Sequence, residues 1–167
     1  MPSRRWAPAV SIRYVVDTSV AGAANRARGG ESETAKLCRR YMLTLMNACH
    51  RMAMTDAIRL EWDHRASRWS QDWYLQMARK GKVRVVRPAN CAKIEAGIDD
   101  SEFTAREKAA LRKDIRLIAA ALASDLRIVS LDTTSMVLFG TLARTVGDLE
   151  SLTWIYPIDG SLPPHRG

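Results

Sequence analysis

The sequence predicts an α/β fold: a single domain on a parallel central sheet of about five strands, with helices on both faces. Two observations carry that prediction. Short apolar runs alternate with longer stretches in which apolar residues recur at helical spacing, the pattern of strand–helix–strand units. The 167 residues, 47% of them hydrophobic, suffice for one full core. No linker, internal repeat or low-complexity segment divides them.

Residues 1–11 read as a basic tail, 12–157 as the domain and 158–167 as a C-terminal tail, with Gly160–Gly167 expected to fray. Ile12–Val16 is the first strand, apolar except for Arg13, and it runs into the helix-start signal Asp17-Thr18-Ser19. Asn25–Glu33 is rich in Gly, Arg and Glu and reads as a mobile loop. Ser32–Arg51 is a helix, with Leu37, Tyr41, Leu45 and Ala48 on one face. Met52–Thr55 is a strand, Asp56–Arg79 one long helix and Val83–Arg87 a strand stopped by Pro88. Asn90–Ser101 is irregular or a short helix. Thr104 caps a helix from 105 to 124, with Glu107 at the capping-box position. Ile128–Leu131, Thr133–Ala143 and Leu152–Tyr156 complete the series as strand, helix and strand.

Charge narrows the function classes. There are 26 Lys and Arg against 18 Asp and Glu, a net charge of +8, which favours a polyanionic partner. The exposed-phosphate reading falls on Lys80, Lys82, Arg84 and Arg87, with Arg79 and Lys93 extending the run, and on Lys36, Arg39 and Arg40, with Arg51 beside them. A solvated edge is the plainer account of any one of them. Trp62, Trp69, Trp73 and Met77 form a stripe that reads as core or protein interface before it reads as a base-stacking surface. Cys38, Cys49 and Cys91 show no CxxC spacing and read as buried thiols of a reducing compartment. No HExxH or Cys/His zinc pattern, P-loop motif or DxDxT occurs. No apolar run reaches transmembrane length, and Arg13 and Asp17 interrupt the stretch after Arg4-Arg5 that an export signal needs. The expected location is the cytoplasm.

Four acids stand out. Asp17 closes Tyr14-Val15-Val16, and Asp132 closes Leu126–Leu131. Both fall where strands end, and active sites of open α/β sheets lie beyond those ends. Asp114 lies one turn before Ile118 on an apolar stripe with Ile115 and Leu122, so its carboxylate should face protein. Glu61 lies within Ala57–Trp62, with Arg65 at i+4. Each has a plain alternative: helix capping for Asp17 and Asp132, surface pairing with Arg112 or Lys113 for Asp114, and an ordinary helical ion pair for Glu61. Converging, the four would make a hard-oxygen site for Mg²⁺ or Mn²⁺.

These stretches resemble the PIN-domain nucleases, of the kind found in VapC-like toxins of toxin–antitoxin pairs. The resemblance rests on Tyr14–Val20, Met54–Glu61, Asp114–Ala123, Leu126–Asp132 and the closing Leu152–Pro157, and spans 12–157. It implies an endoribonuclease in which Asp17, Glu61, Asp114 and Asp132 are catalytic and bind one or two Mg²⁺ or Mn²⁺ ions. Asp56 competes with Glu61 for the second position. Thr18, Ser19 and Ser130, beside the acids, could hold surrounding waters or a scissile phosphate, or simply cap helices. The resemblance further implies an RNA substrate, an antitoxin protein partner and a homodimer. Alternatives are a PIN-type RNA-processing or DNA nuclease outside a toxin system, or a catalytically inactive module that binds RNA or protein.

Overall fold

The computed structural model describes residues 10–26 and 30–164. Five strands, β1 (Arg13–Val16), β2 (Arg51–Met54), β3 (Val83–Val85), β4 (Arg127–Val129) and β5 (Thr153–Ile155), form one sheet in the order β3-β2-β1-β4-β5. Every neighbouring pair is parallel. Seven helices are seen among the described residues: α1 (Thr18–Ala23), α2 (Glu33–Asn47), α3 (Asp56–Arg65), α4 (Arg68–Arg79), α5 (Ala92–Asp100), α6 (Ala105–Leu122) and α7 (Thr133–Leu142). Chain order runs outward from β1 through β2 to β3, then crosses to β4 and β5. Right-handed crossovers therefore put α1–α4 on one face and α5–α7 on the other. The direction of winding reverses between β1 and β4, and this switch point opens a crevice at the carboxyl edge of the sheet.

β1 is the central strand, covered on both faces as parallel strands must be. Val15 and Val16 are fully buried, as are Met52 and Ala53 of β2 and Ile128 and Val129 of β4. Each of the Val, Ile and Met side chains among them contributes roughly 1.5–3 kcal/mol on burial. Pairing of Val16 with Val129 sets the register, and the Asp17 amide continues it by donating to the Val129 carbonyl at 2.9 Å. In the same way the Ser130 amide donates to Ile155 at 3.1 Å. Asp17 and Ser130 thus emerge side by side from adjacent strands.

The long helix expected over Asp56–Arg79 is two helices. Ala66 is extended, and Ser67 caps α4 by accepting from the Ser70 amide at 3.2 Å. The break serves α1, whose last carbonyls lack intrahelical partners. The Ser67 amide and the Ser70 hydroxyl both donate to Ala21, at 3.1 and 2.7 Å, and the Ser67 hydroxyl donates to Ala24 at 3.1 Å. α1 and α3 approach so closely that a Cβ at Gly22 would stand 3.2 Å from the Arg65 carbonyl oxygen. Trp62 and Trp73 remain on one buried surface across the break, with ring centroids 6.2 Å apart, and Trp69 packs half-buried against the same core. The stripe is core.

Other expectations shift by a few residues at element ends. The segment 90–101 forms the regular helix α5, and the capping box of Thr104 and Glu107 is formed. Residues 160–164 do not fray as expected: Pro163 is buried, and the Pro164 carbonyl lies 3.0 Å from His50 Nε2. The Ile12 amide donates to His50 Nδ1 at 3.2 Å, so the imidazole carries its proton on Nε2 and donates it to Pro164. Residues 1–9 of the expected basic tail, 27–29 of the Gly/Arg/Glu loop and 165–167 at the C-terminus lie outside the described residues. Cys38 is buried as expected and Cys91 half-buried, whereas Cys49 is exposed; all three are free thiols. Among the described residues, no helix is long and apolar enough to cross a membrane.

A candidate acidic site at the switch point

Asp17, Glu61, Asp114 and Asp132 all line one small pocket of about 130 Å³ beyond the carboxyl ends of β1 and β4. Thr18, Ser19, Arg65, Lys113 and Arg116 complete its wall. Four elements deliver the acids: the β1–α1 junction, α3, α6 and the turn after β4. Asp56 lies elsewhere, beside Thr55, Val85, Val86 and Arg87 in a separate groove. Of the two candidates for the second acid, Glu61 is the one that reaches the pocket.

Asp17 occupies the N-cap position of α1, yet its side chain makes no capping bond. It is only 5% exposed, and its carboxylate is turned towards hydroxyls. Ser19 and Ser130 donate to Oδ2 at 2.5 and 2.8 Å, while Thr18 donates to Oδ1 at 3.4 Å. The two serines are themselves fixed, because Ser19 accepts from the Leu131 amide and Ser130 from the Asp132 amide, each at 3.0 Å. Buried acceptors need such donors. Ser19 and Ser130, with Thr18 further off, therefore brace the Asp17 carboxylate, and Thr18 and Ser19 also line the pocket.

The strand end carrying Asp17 has a further support. The buried Trp62 indole donates to the Val16 carbonyl at 3.0 Å. Asp132 differs from Asp17 in that it does cap its helix: it accepts from the Ser135 amide at 2.9 Å, and it is half-buried. The capping alternative thus holds for Asp132 and fails for Asp17.

Asp114 faces protein as its place on the apolar stripe requires, being 4% exposed. The Ser135 hydroxyl donates to Oδ2 at 2.5 Å. Burial pushes its carboxyl above the usual range; the Ser135 bond and Lys113 pull the other way, and the nearby Asp17 charge adds to the rise. Arg112, one of its expected surface partners, is paired instead with Asp99.

Glu61 is held by arginine. Arg116 Nε and Nη2 lie 2.6 and 2.5 Å from Oε2, and Arg65 Nε stands 4.0 Å from Oε1. Arg116 Nη1 is 3.6 Å from Asp114, and Lys113 Nζ is 4.0 Å from it. Ser135 and Arg116 carry no functional signature in the sequence, and Trp62 shows there only as part of the apolar stripe. The only trace of Ser135 is its place three residues after a capping Asp.

The donor set is chemically suited to a hard divalent cation, since every candidate ligand is a carboxylate. Among the described residues, however, no three His, Cys, Asp or Glu side chains are grouped closely enough to hold a metal ion. The acids share a pocket without converging on a point, and Arg116 lies between two of them.

The basic residues sort into open and engaged. Lys36, Arg40, Lys80, Arg84 and Arg87 are exposed. Arg39 is not: it is 7% exposed, pairs with Glu31 at 2.6 Å and donates to the Asn25 carbonyl. Lys82 is half-buried, and its ammonium donates to the carbonyls of Met46, at 2.6 Å, and of Ala48. Burial lowers its affinity for the proton. The expectation of phosphate contact therefore gives way at these two positions to a structural role at the two ends of α2. No protein-family model matches this chain, and no curated protein matches its sequence.

Proposed function

We propose that the protein is a metal-dependent endoribonuclease of PIN type, the toxin half of a toxin–antitoxin pair. One observation carries the reading. A buried carboxylate, Asp17, sits at a helix start without capping it, braced by hydroxyls, in a pocket it shares with Asp114, Asp132 and Glu61 at the topological switch point. The basic surface and the order of the sequence motifs support a polyanionic substrate.

Mg²⁺ or Mn²⁺ held by Asp17, Asp114 and Asp132, with Glu61, would offset the charge that develops on the phosphoryl group and make a water a better nucleophile. The chain's own part is positioning. Ser19 and Ser130 fix the Asp17 carboxylate in one orientation. Ser135 does the same for Asp114, and through its amide for Asp132. Arg65 and Lys113, both exposed at the pocket wall, supply positive charge where a phosphodiester would arrive. Exposed Lys80, Arg84 and Arg87 extend that attraction along the strand of RNA.

The test is cleavage of single-stranded and structured RNA in Mn²⁺, Mg²⁺ or EDTA, with wild type beside Asp114→Asn. Metal-dependent cutting that the variant loses is the expected result. A second reading, a catalytically inactive module that binds RNA or protein, is favoured by the Arg116–Glu61 pair and by the lack of a close three-acid group among the described residues. RNA binding by folded wild type without any cutting would select it. The toxin role predicts growth arrest on expression, reversed by a protein antitoxin; an RNA-processing enzyme would be tolerated.

A further inference from the structure

Arg116 spends its whole guanidinium inside the acid pocket. Nε and Nη2 lie on Glu61 Oε2, Nη1 stands 3.6 Å from Asp114 Oδ1, and Nη1 also donates to the Lys113 carbonyl of its own helix. Both side chains of the Glu61 pair are largely withdrawn from solvent, at 19% and 16% exposure. The pair joins α3 to α6 across the carboxyl edge of the sheet. Among the described residues, Asp17 has hydroxyl donors and no cation beside it, Asp114 has the Ser135 hydroxyl with Arg116 at 3.6 Å, and Glu61 is paired directly with Arg116. A divalent ion would offer positive charge to the same oxygens. Glu61 Oε2 cannot serve both at full strength, and two cations on neighbouring carboxylates repel each other.

We propose that Arg116 is a built-in counter-ion that competes with the divalent cation for Glu61 and Asp114. It thereby sets the cation affinity of the pocket, and cation uptake requires the guanidinium to leave Glu61. The proposal rests on the reading of this pocket as a cation site. Arg116 is a positioning residue: it acts on the carboxylates, and its removal has a sign that a purely structural role lacks. Loss of a merely structural ion pair would loosen the pocket and weaken binding. Loss of a competitor strengthens it.

The measurement is Mn²⁺ binding to the full chain by isothermal titration calorimetry, without RNA. It compares wild type, R116Q and R116K, with folding verified by circular dichroism. R116Q should bind Mn²⁺ roughly five- to tenfold more tightly, the worth of a partly buried charged hydrogen bond removed from the competitor. R116K keeps the charge but loses the two-nitrogen fork, and should bind more tightly than wild type by a smaller factor. Should R116Q not fold, R116K decides alone by the same criterion. Equal or weaker Mn²⁺ binding in the folded variants, with wild type binding normally, overturns the competition and leaves the cation site standing. No Mn²⁺ binding by folded wild type or variants overturns the cation site and the competition with it.

Discussion

The two sides of the acid pocket are held by different means. On one side, Asp17 rests on the hydroxyls of Ser19 and Ser130, and Asp132 on the Ser135 amide. On the other, Glu61 rests on Arg116, with Arg65 further off, while Asp114 between the two sides takes the Ser135 hydroxyl and has Arg116 and Lys113 at 3.6 and 4.0 Å. Neutral donors fix a carboxylate without cancelling its charge. Cations fix it by cancelling the charge, and so remove what would attract an ion. The first side is prepared for a cation; the second is already occupied by the chain's own.

That comparison can be broken at its strong end first. Asp17→Asn should abolish RNA cleavage, by on the order of 10³-fold or more in kcat, while circular dichroism remains that of wild type. Full activity in this variant would remove the pocket from consideration as a catalytic centre. Next in size, Ser130→Ala takes from Asp17 one donor and from the Asp132 amide its acceptor. The first loss is buried and the second partly so, and urea denaturation should register about 1–3 kcal/mol of lost stability. This cost should be nearly independent of salt, because the brace is neutral. By contrast, Glu61→Gln should change stability by less at high ionic strength than at low, since Arg116 and Glu61 interact as charges. Identical salt responses from the two variants would erase the distinction between the two sides.

A finer test uses pH. Burial holds the Asp114 carboxyl above the usual range, so the folded protein takes up that proton at a higher pH than the unfolded chain does. Ionising Asp114 in the fold therefore costs stability as pH rises from the unfolded carboxyl value of about 4 through the folded one. Asp114→Asn removes the cost. Without added metal, the variant should melt above wild type at neutral pH, and the gap should close as pH falls towards about 4. A gap that widens on acidification would mean that Asp114 is stabilised as the anion. The smallest effect lies outside the pocket. Replacing exposed Lys80, Arg84 and Arg87 by Ala should flatten the salt dependence of RNA binding by about 0.7 per lost phosphate contact on single strands. Lys82→Ala should instead destabilise the fold, because its ammonium caps the end of α2.

What the sequence made legible, and what it did not, follows the range of the interactions. The alternation of strand and helix is local, and the five-stranded parallel sheet agrees with it. Asp17, Asp114 and Asp132 were visible because each interrupts an apolar pattern. The break at Ala66–Ser67 was not, since every helical cue continues through it; its cause is the free carbonyls of α1, more than forty residues earlier. Arg39 read as a surface cation because its partners, Glu31 and the Asn25 carbonyl, meet it only when the loop folds back. Arg116 looked like one more charge on a helix that carries many. Its significance depends on Glu61, which reaches it from another helix on the other side of the sheet edge.

The switch point has a consequence for how the protein is made. Asp17 and Ser130 are 113 residues apart in the chain, yet each completes the other's hydrogen bonding. During synthesis β1, β2 and β3 emerge first and can pair, with one edge of β1 left open until β4 has been made. Ser130, Asp132 and Ser135 all come after that long wait, and Asp114 is made only shortly before it ends. A nascent chain on the ribosome therefore carries Asp17 without its neighbours, and half-made chains contain no assembled pocket. A truncated product ending before residue 127 would lack the strand that completes the centre of the sheet and expose the edge of β1 to pairing with other chains.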